Sequence, residues 1–247
     1  MPCHKGNMRT MIYFTSDGLR LHGTLHLPEV KKPPVIIGSH GFFSTGDSPK
    51  QVDLARCCVE NGMGFFRFDH RGCGKSEGEF AAVTTFDGRC RDLEAAMEML
   101  LARSDIGDDI ALFGSSFGGA VVLAVAAQRD VCAVVTVAAP ICLGTIRPPN
   151  IDDPEEAFRL RGFDRERLDF DITDRLGHVR NLLSFHGDQD TVVPFSNALA
   201  IHEKARHPKV LVRHENGDHP MSDPAHQRDF LKRSIDWYRE GFGIATA

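Results

Sequence analysis

Apolar and polar positions alternate between Leu19 and Leu27, with Leu19, Leu21, Gly23, Leu25 and Leu27 in one phase and Arg20, His22, Thr24 and His26 in the other. A period of two is that of a strand with one covered face. Residues 11–15 form a second such run, and Ser16-Asp17-Gly18 stands between the two. An Asp-Gly turn between alternating runs predicts a β-hairpin. From Pro34 the pattern changes to short, nearly unbroken apolar runs at 35–37, 64–68, 110–113, 131–139, 182–185 and 210–212. Such runs are what a parallel sheet covered on both faces requires.

Helical segments separate these runs. Ser48-Pro49-Lys50-Gln51 has the form of a helix start, with a capping Ser, Pro at the first helical position and Gln closing a capping box. Gly62 suits the end of that helix. Leu93, Ala96, Met97, Leu100 and Leu101 make a helical stripe, and 117–129 is almost wholly apolar, as a central buried helix would be. Asp223-Pro224 opens a last helix whose Leu231, Ile235 and Tyr238 share a face. The alternation predicts an α/β fold: a mostly parallel eight-stranded sheet led by an antiparallel hairpin, with helices on both faces. We read 1–247 as a single domain. Between Pro140 and Leu182 lie about 40 residues, more than a crossover needs. This interval is charged, with Asp152-Asp153-Pro154-Glu155-Glu156 and helical patches around 155–161. It is either a solvated connecting helix or a functional insertion, and the second reading predicts a small lid at about 141–175.

Gly114-Ser115-Ser116-Phe117-Gly118 is a G-x-S-x-G motif. Alone it is a weak signal, but it follows one apolar run and opens the next helix, the strand–turn–helix setting of a nucleophilic serine. That turn sets Ser116 above the carboxyl ends of the strands, where ligands bind in such sheets. A serine hydroxyl needs a base to take its proton, and the base needs a carboxylate to orient it. In this kind of fold the acid and then the histidine follow the serine in the chain. The 182–185 run is followed by His186-Gly187-Asp188-Gln189-Asp190, and the 210–212 run by Glu215-Asn216-Gly217-Asp218-His219. His219 is therefore the base candidate, ahead of His186 and His214, and Asp190 or Asp188 the acid.

Composition adds exclusions. A formal net charge of −5 provides no footprint for nucleic acid, and no apolar run reaches bilayer length. The segment 1–10 lacks the apolar stretch of a secretion signal. Seven dispersed cysteines suggest neither a disulfide framework nor a zinc site, and Cys132 and Cys142 read as buried thiols; a cytoplasmic setting is expected. Gly72 and Gly74 begin a G-x-G-x-x-G that ends in Glu77, and Gly74-Lys75-Ser76 ends a P-loop whose first Gly is replaced by Asp69. Neither nucleotide motif is complete.

From Thr10 to Tyr238 the chain resembles the α/β-hydrolase superfamily. His186-Gly187, Asp190 and Val193-Pro194 match the family's H-G-x-x-D-x-x-V-P, which puts Asp190 in the acid position. The resemblance implies His219 as base. It also implies backbone oxyanion donors at Phe117 and, after His40-Gly41, at Phe42. Asp69-His70-Arg71-Gly72-Cys73-Gly74-Lys75-Ser76 resembles a structural loop of the family that contains an Arg–Asp frame. Residues 66–72 and 76–80 look most like small bacterial carboxylesterases, including cinnamoyl and feruloyl ester hydrolases. The implied activity is cleavage of a small or medium ester, with neither metal nor organic cofactor. A thioester or an N-terminal peptide is the alternative substrate, and a non-catalytic ligand-binding protein the alternative of another class. Oligomeric state is not legible.

Overall fold

The computed structural model describes residues 8–147, 152 and 154–245. Eight strands lie in one sheet: β1 (Met8–Ser16), β2 (Leu19–Leu27), β3 (Val35–Ser39), β4 (Gly64–Phe68), β5 (Ile110–Ser115), β6 (Val134–Val137), β7 (Leu182–Gly187) and β8 (Lys209–His214). Their order is β1-β2-β4-β3-β5-β6-β7-β8. The β1–β2 and β2–β4 pairs are antiparallel and all the others parallel. The predicted hairpin is present, and Asp17 and Gly18 turn it with φ of 49° and 79°, the double positive-φ geometry that matches strand twist.

The helices are α1 (Pro49–Glu60), α2 (Phe80–Val83), α3 (Phe86–Leu101), α4 (Phe117–Ala126), α5 (Pro154–Arg159), α6 (Ser196–Lys204) and α7 (Pro224–Gly241). Two apolar layers hold the sheet. On one face Val35, Ile37, Leu112 and Val134 pack with α3, α4 and α6. On the other, Ile36, Ala111, Phe113 and Val135 pack with α1 and α7. Adjacent strand residues therefore serve opposite layers, which is why the parallel strands read as continuous apolar runs. Every residue of α4 is buried.

Several expectations change. Only part of the polar phase of β2 faces water: Arg20 is exposed but His22 and His26 are buried, because β2 is flanked by β1 and β4 and touches α1. Arg67 donates to His26 Nε2 at 2.9 Å. Burial, reinforced by the Arg67 charge, holds His26 at about 4. The capping box at Ser48 is not formed. Ser48 makes no side-chain cap bond, and Gln51 is buried against Gly38 of β3. Leu101 faces solvent at the end of the α3 stripe. Cys132 and Cys142 are half-buried, Cys132 beside Asp109 at a loop rather than inside β6.

The long interval after β6 crosses the carboxyl ends of the strands. It holds α5 and short 3₁₀ turns at Leu143–Thr145, Arg165–Leu168 and Leu176–His178. A narrow neck closes it: Cys142 bridges Asp171 antiparallel, Leu143 N–H donates to Phe170 O at 3.1 Å and Ile172 N–H to Ile141 O at 2.9 Å. Leu168, Phe170, Ile172 and Leu176 anchor it in the α3–α4 layer, with Phe170 stacked on Phe86 at 4.3 Å. The Pro148-Pro149-Asn150-Ile151 stretch lies outside the described residues.

Candidate active site

Ser116 sits between β5 and α4 with φ 53° and ψ −126°. A non-glycine residue there is strained, and the strain persists only where neighbours impose it. Here they do. Ser116 N–H is held by Val137 O at 2.8 Å, and Ser116 O accepts from Gly119 N–H at 2.7 Å. A Cβ on Gly118 would lie 2.6 Å from His40 O and closer still to Ser39 O, while one on Gly114 would meet Val122 Cγ2 at 2.6 Å and the Gly118 carbonyl. Both glycines are required by the close passage of backbones at this turn.

The loops after β7 and β8 bring the other two candidates to the serine. His219 Nε2 lies 3.0 Å from Ser116 Oγ, and its Nδ1 lies 2.7 Å from Asp190 Oδ2. The carboxylate accepts at Nδ1, so Nε2 is the nitrogen free to accept from the hydroxyl. Asp190 has no exposed side-chain surface. Its Oδ1 accepts from the amides of Val192 and Val193, each at 2.8 Å, which fixes the carboxylate before His219 arrives. Burial alone would raise the Asp190 pKa, but bonds from His186 and His219 and from the Val193 amide outweigh it and hold the carboxyl well below its ordinary range.

Asp188 has a different position. Its Oδ2 accepts from Arg213 Nε and Nη2 at 3.0 and 2.8 Å, and its Oδ1 from the Asn216 amide at 2.7 Å. It ties the two loops together on the side away from His219. His186 is more than a strand-end residue: its Nε2 donates to Val193 O at 2.8 Å and lies 3.4 Å from Asp190 Oδ2. His214 pairs instead with Asp229 at 3.3 Å. Ser115 borders the cleft beside Ser116.

The loop carrying Phe42 packs directly on the serine, since a Cβ on Gly41 would be 3.6 Å from Ser116 Cβ. The Gly41 carbonyl oxygen accepts from His40 Nδ1 at 2.7 Å and from Arg89 Nη1 at 3.2 Å. His40 Nε2 accepts from His70 N–H at 3.0 Å, which fixes the tautomer. Arg89, wholly buried on α3, also donates to Phe42 O at 2.8 Å and Cys73 Sγ at 3.4 Å. Its guanidinium lies 5.6 Å from the Phe42 ring centroid and 5.3 Å from that of Phe117. Phe117 N–H opens α4, where amides have no helical acceptor.

Beneath this loop is a buried polar web that the sequence reading missed. Ser39 Oγ lies 2.8 Å from His70 Nε2, and His70 Nδ1 lies 3.3 Å from Asp92 Oδ2. Arg71 donates to Asp92 Oδ1 through Nε at 3.0 Å and Nη2 at 2.7 Å. The expected Arg–Asp frame is thus made with Asp92 of α3. Asp69 accepts instead from the Gly46 and Lys75 amides at 2.8 and 3.0 Å. Burial dominates at His70 and holds it at about 4 despite Asp92. The available signal was spacing: Arg89 and Asp92 lie three apart beside Leu93, on the covered stripe of α3.

Ser116 and His219 open into a cleft of ≈1330 Å³. One arm, beneath the long segment, is apolar: Phe42, Phe43, Leu143, Ile146, Leu160 and Phe163 line it. Phe42 is its centre, with ring centroids of Phe43 at 4.5 Å, Phe80 at 5.1 Å and Phe163 at 5.5 Å. The other arm runs between the starts of α1 and α7. Among the described residues no group of three or more His, Cys, Asp or Glu is arranged to hold a metal ion, and no helix is long and apolar enough to cross a membrane.

Sheet order and the strand–Ser116–helix turn define an α/β-hydrolase-fold serine hydrolase, and the solved structures it resembles include bacterial esterases. The chain belongs to the serine aminopeptidase (S33) family, whose sequence profile matches residues 31–155. The uncharacterized protein YfhR of Escherichia coli O157:H7 is 29% identical over 240 residues, covering 93% of this chain and 77% of the relative. Est1E of Butyrivibrio proteoclasticus, solved with ferulic acid bound, superposes with a TM-score of 0.77 at 23% identity, over 94% of this chain and 99% of that one. The esterase domain of a Rhodothermus marinus protein superposes with a TM-score of 0.71 at 26% identity, over 94% and 98%.

Proposed function

We propose that this hydrolase cleaves small or medium carboxylic esters through an acyl-enzyme formed on Ser116. The observation that carries the proposal is the hydrogen-bond line from Asp190 through His219 to Ser116 at the mouth of a partly apolar cleft. In this reading Ser116 Oγ attacks the acyl carbonyl as its proton passes to His219 Nε2. Asp190, held ionised, orients the ring and stabilises the imidazolium. The Phe42 and Phe117 amides receive the negative charge on the carbonyl oxygen, each donor being worth ~3–4 kcal/mol in the transition state. His219 then protonates the departing alkoxide, and water activated by the same nitrogen releases the acid. No step calls for a cofactor. The esterase domain from Rhodothermus marinus and the ferulic acid bound to Est1E support an ester over a peptide or thioester substrate. In the same reading 1–247 is one domain, and 141–175 is a lid that shapes the apolar arm.

A fluorophosphonate probe tests the nucleophile. The folded wild type should label and Ser116→Ala should not. An unlabelled but folded wild type would leave a binding protein on a hydrolase fold. Asp190→Asn should lower turnover of a p-nitrophenyl ester by about 10³–10⁴-fold, whereas Asp188→Asn, which removes a loop tie, should cost far less. The reverse ranking would transfer the acid role to Asp188. Acyl-CoA and aminoacyl substrates run beside the ester series separate the thioesterase and aminopeptidase alternatives.

A further inference from the structure

The charge on the cleft wall opposes that of the chain. The protein carries a formal net charge of −5, yet among the described residues Lys50, Arg56, Arg147, Arg165 and Arg228 border the cleft against the carboxylate of Asp53, with Asp218 close enough to Lys50 for its charge to act there. Arg56 is satisfied by Asp53 and Glu60. Among the described residues the other four cations have no carboxylate within 4 Å, although Lys50 feels the nearby charge of Asp218. Among the described residues Arg165 reaches a carbonyl, Ile146 O, at 3.4 Å. Lys50 is half-buried, and its ammonium donates to Pro220 O at 2.6 Å.

The position of Lys50 decides which part of a substrate meets this charge. Pro220 follows His219, the residue that protonates the leaving oxygen in the proposed mechanism. The leaving group therefore departs past His219, into the arm bordered by Ser48, Lys50, Gln227 and Arg228. In the same reading the Phe42 loop and the apolar residues of the cleft are left to receive the acyl group. A cleft with low-dielectric walls focuses a field of one sign and concentrates ligands of the other.

We infer that the alcohol half of the substrate carries an anionic group, a carboxylate or a phosphate, received by Lys50 and Arg228. This rests on the serine-esterase reading above and adds the chemical class of the leaving group. Arg147 and Arg165, which also line the cleft, add to the same field. The anion is a binding determinant only and takes no part in bond making.

The test compares acetate esters that differ in charge but share leaving-group reactivity: 4-acetoxyphenylacetate, its primary amide and 4-acetoxybenzyltrimethylammonium. A methylene insulates each charge from the phenol. At low ionic strength the wild type should favour the anion over the amide by about tenfold in kcat/KM, and the cation should be poorest. The anion-to-amide ratio should fall toward one in 0.5 M salt, where the screening length shrinks to a few ångströms, roughly 4 Å. It should also fall severalfold in Lys50→Gln and in Arg228→Gln. A phosphate-bearing analogue, 4-acetoxybenzyl phosphate, run beside the carboxylate tells which anion is preferred. An anion-to-amide ratio within twofold of one in the wild type, or a ratio unmoved by both substitutions, overturns the inference while leaving the esterase reading in place. Failure of every ester together with failure of fluorophosphonate labelling overturns both.

Discussion

Replacing Arg89 with methionine removes a guanidinium that is wholly buried and bonds carbonyls rather than a carboxylate. In a trans peptide the C=O and N–H point opposite ways. Pinning Gly41 O therefore aims the Phe42 N–H, and a cation on that oxygen also polarises the amide. The consequences for stability and for turnover separate. Phe42 O loses its donor at a cost of ~1–3 kcal/mol, but removing a buried cation returns a desolvation penalty of several kcal/mol. The net change is small, so the melting temperature should stay within about 8 °C of wild type. Losing an oxyanion donor outright costs about 10²–10³ in kcat. His40 still holds Gly41 O at 2.7 Å, so the expected loss in Arg89→Met is roughly 10- to 100-fold in kcat, with KM altered less than about threefold. Arg89→Lys, with charge but no fork, should fall between the two. Steady-state kinetics on a p-nitrophenyl ester and a thermal melt of the same preparations provide both readouts. A folded Arg89→Met enzyme with kcat within twofold of wild type would refute the argument.

Two further outcomes follow from the buried groups. His26 and His70, held at about 4, are neutral in the fold, whereas in the unfolded chain they take up protons near 6.5. Protons therefore favour the unfolded chain between these values, and stability present above about pH 6.5 is lost as pH falls toward 4. Asp92 and Asp190, whose carboxyls are held low, add a loss that begins only near the unfolded carboxylate value of about 4. A melting temperature flat from pH 6.5 to 4.5 would contradict the histidine part. Gly118→Ala brings a Cβ into the Ser39 and His40 carbonyls, which are backbone and cannot rotate away. It should destabilise by more than about 3 kcal/mol, and a denaturant melt close to wild type would show that the turn relaxes.

The parallel strands β3 to β7 and α4 were legible because burial on both faces leaves an unbroken apolar string, whereas β8 at the sheet edge is half-exposed. Ser116, Asp190 and His219, which the structure brings together, could be picked out as candidates because each follows a recognisable strand. What escaped was polar and tertiary. His22 and His26 look like the wet phase of β2 until α1 and β4 cover them. Gln51 resembles a capping partner until its side chain is seen beside Gly38. Arg89 and Asp92 carry the charge typical of a solvated helix face, and their burial depends on Gly41, Phe42, His70 and Arg71, all from other parts of the chain.

The neck at Cys142 and Asp171 has a consequence for how this enzyme diversifies. The segment between these residues begins and ends at one clasp of backbone bonds that any sequence can make, while Leu168 and Phe170 near its end pack into the core. The ends of the segment are already together, and doubling the length between them would add only ~0.6 kcal/mol of closure entropy. Insertions between the clasped ends that spare Leu168 and Phe170 leave in place the strand register that positions Ser116, Asp190 and His219, so new cleft walls arise over an unaltered base.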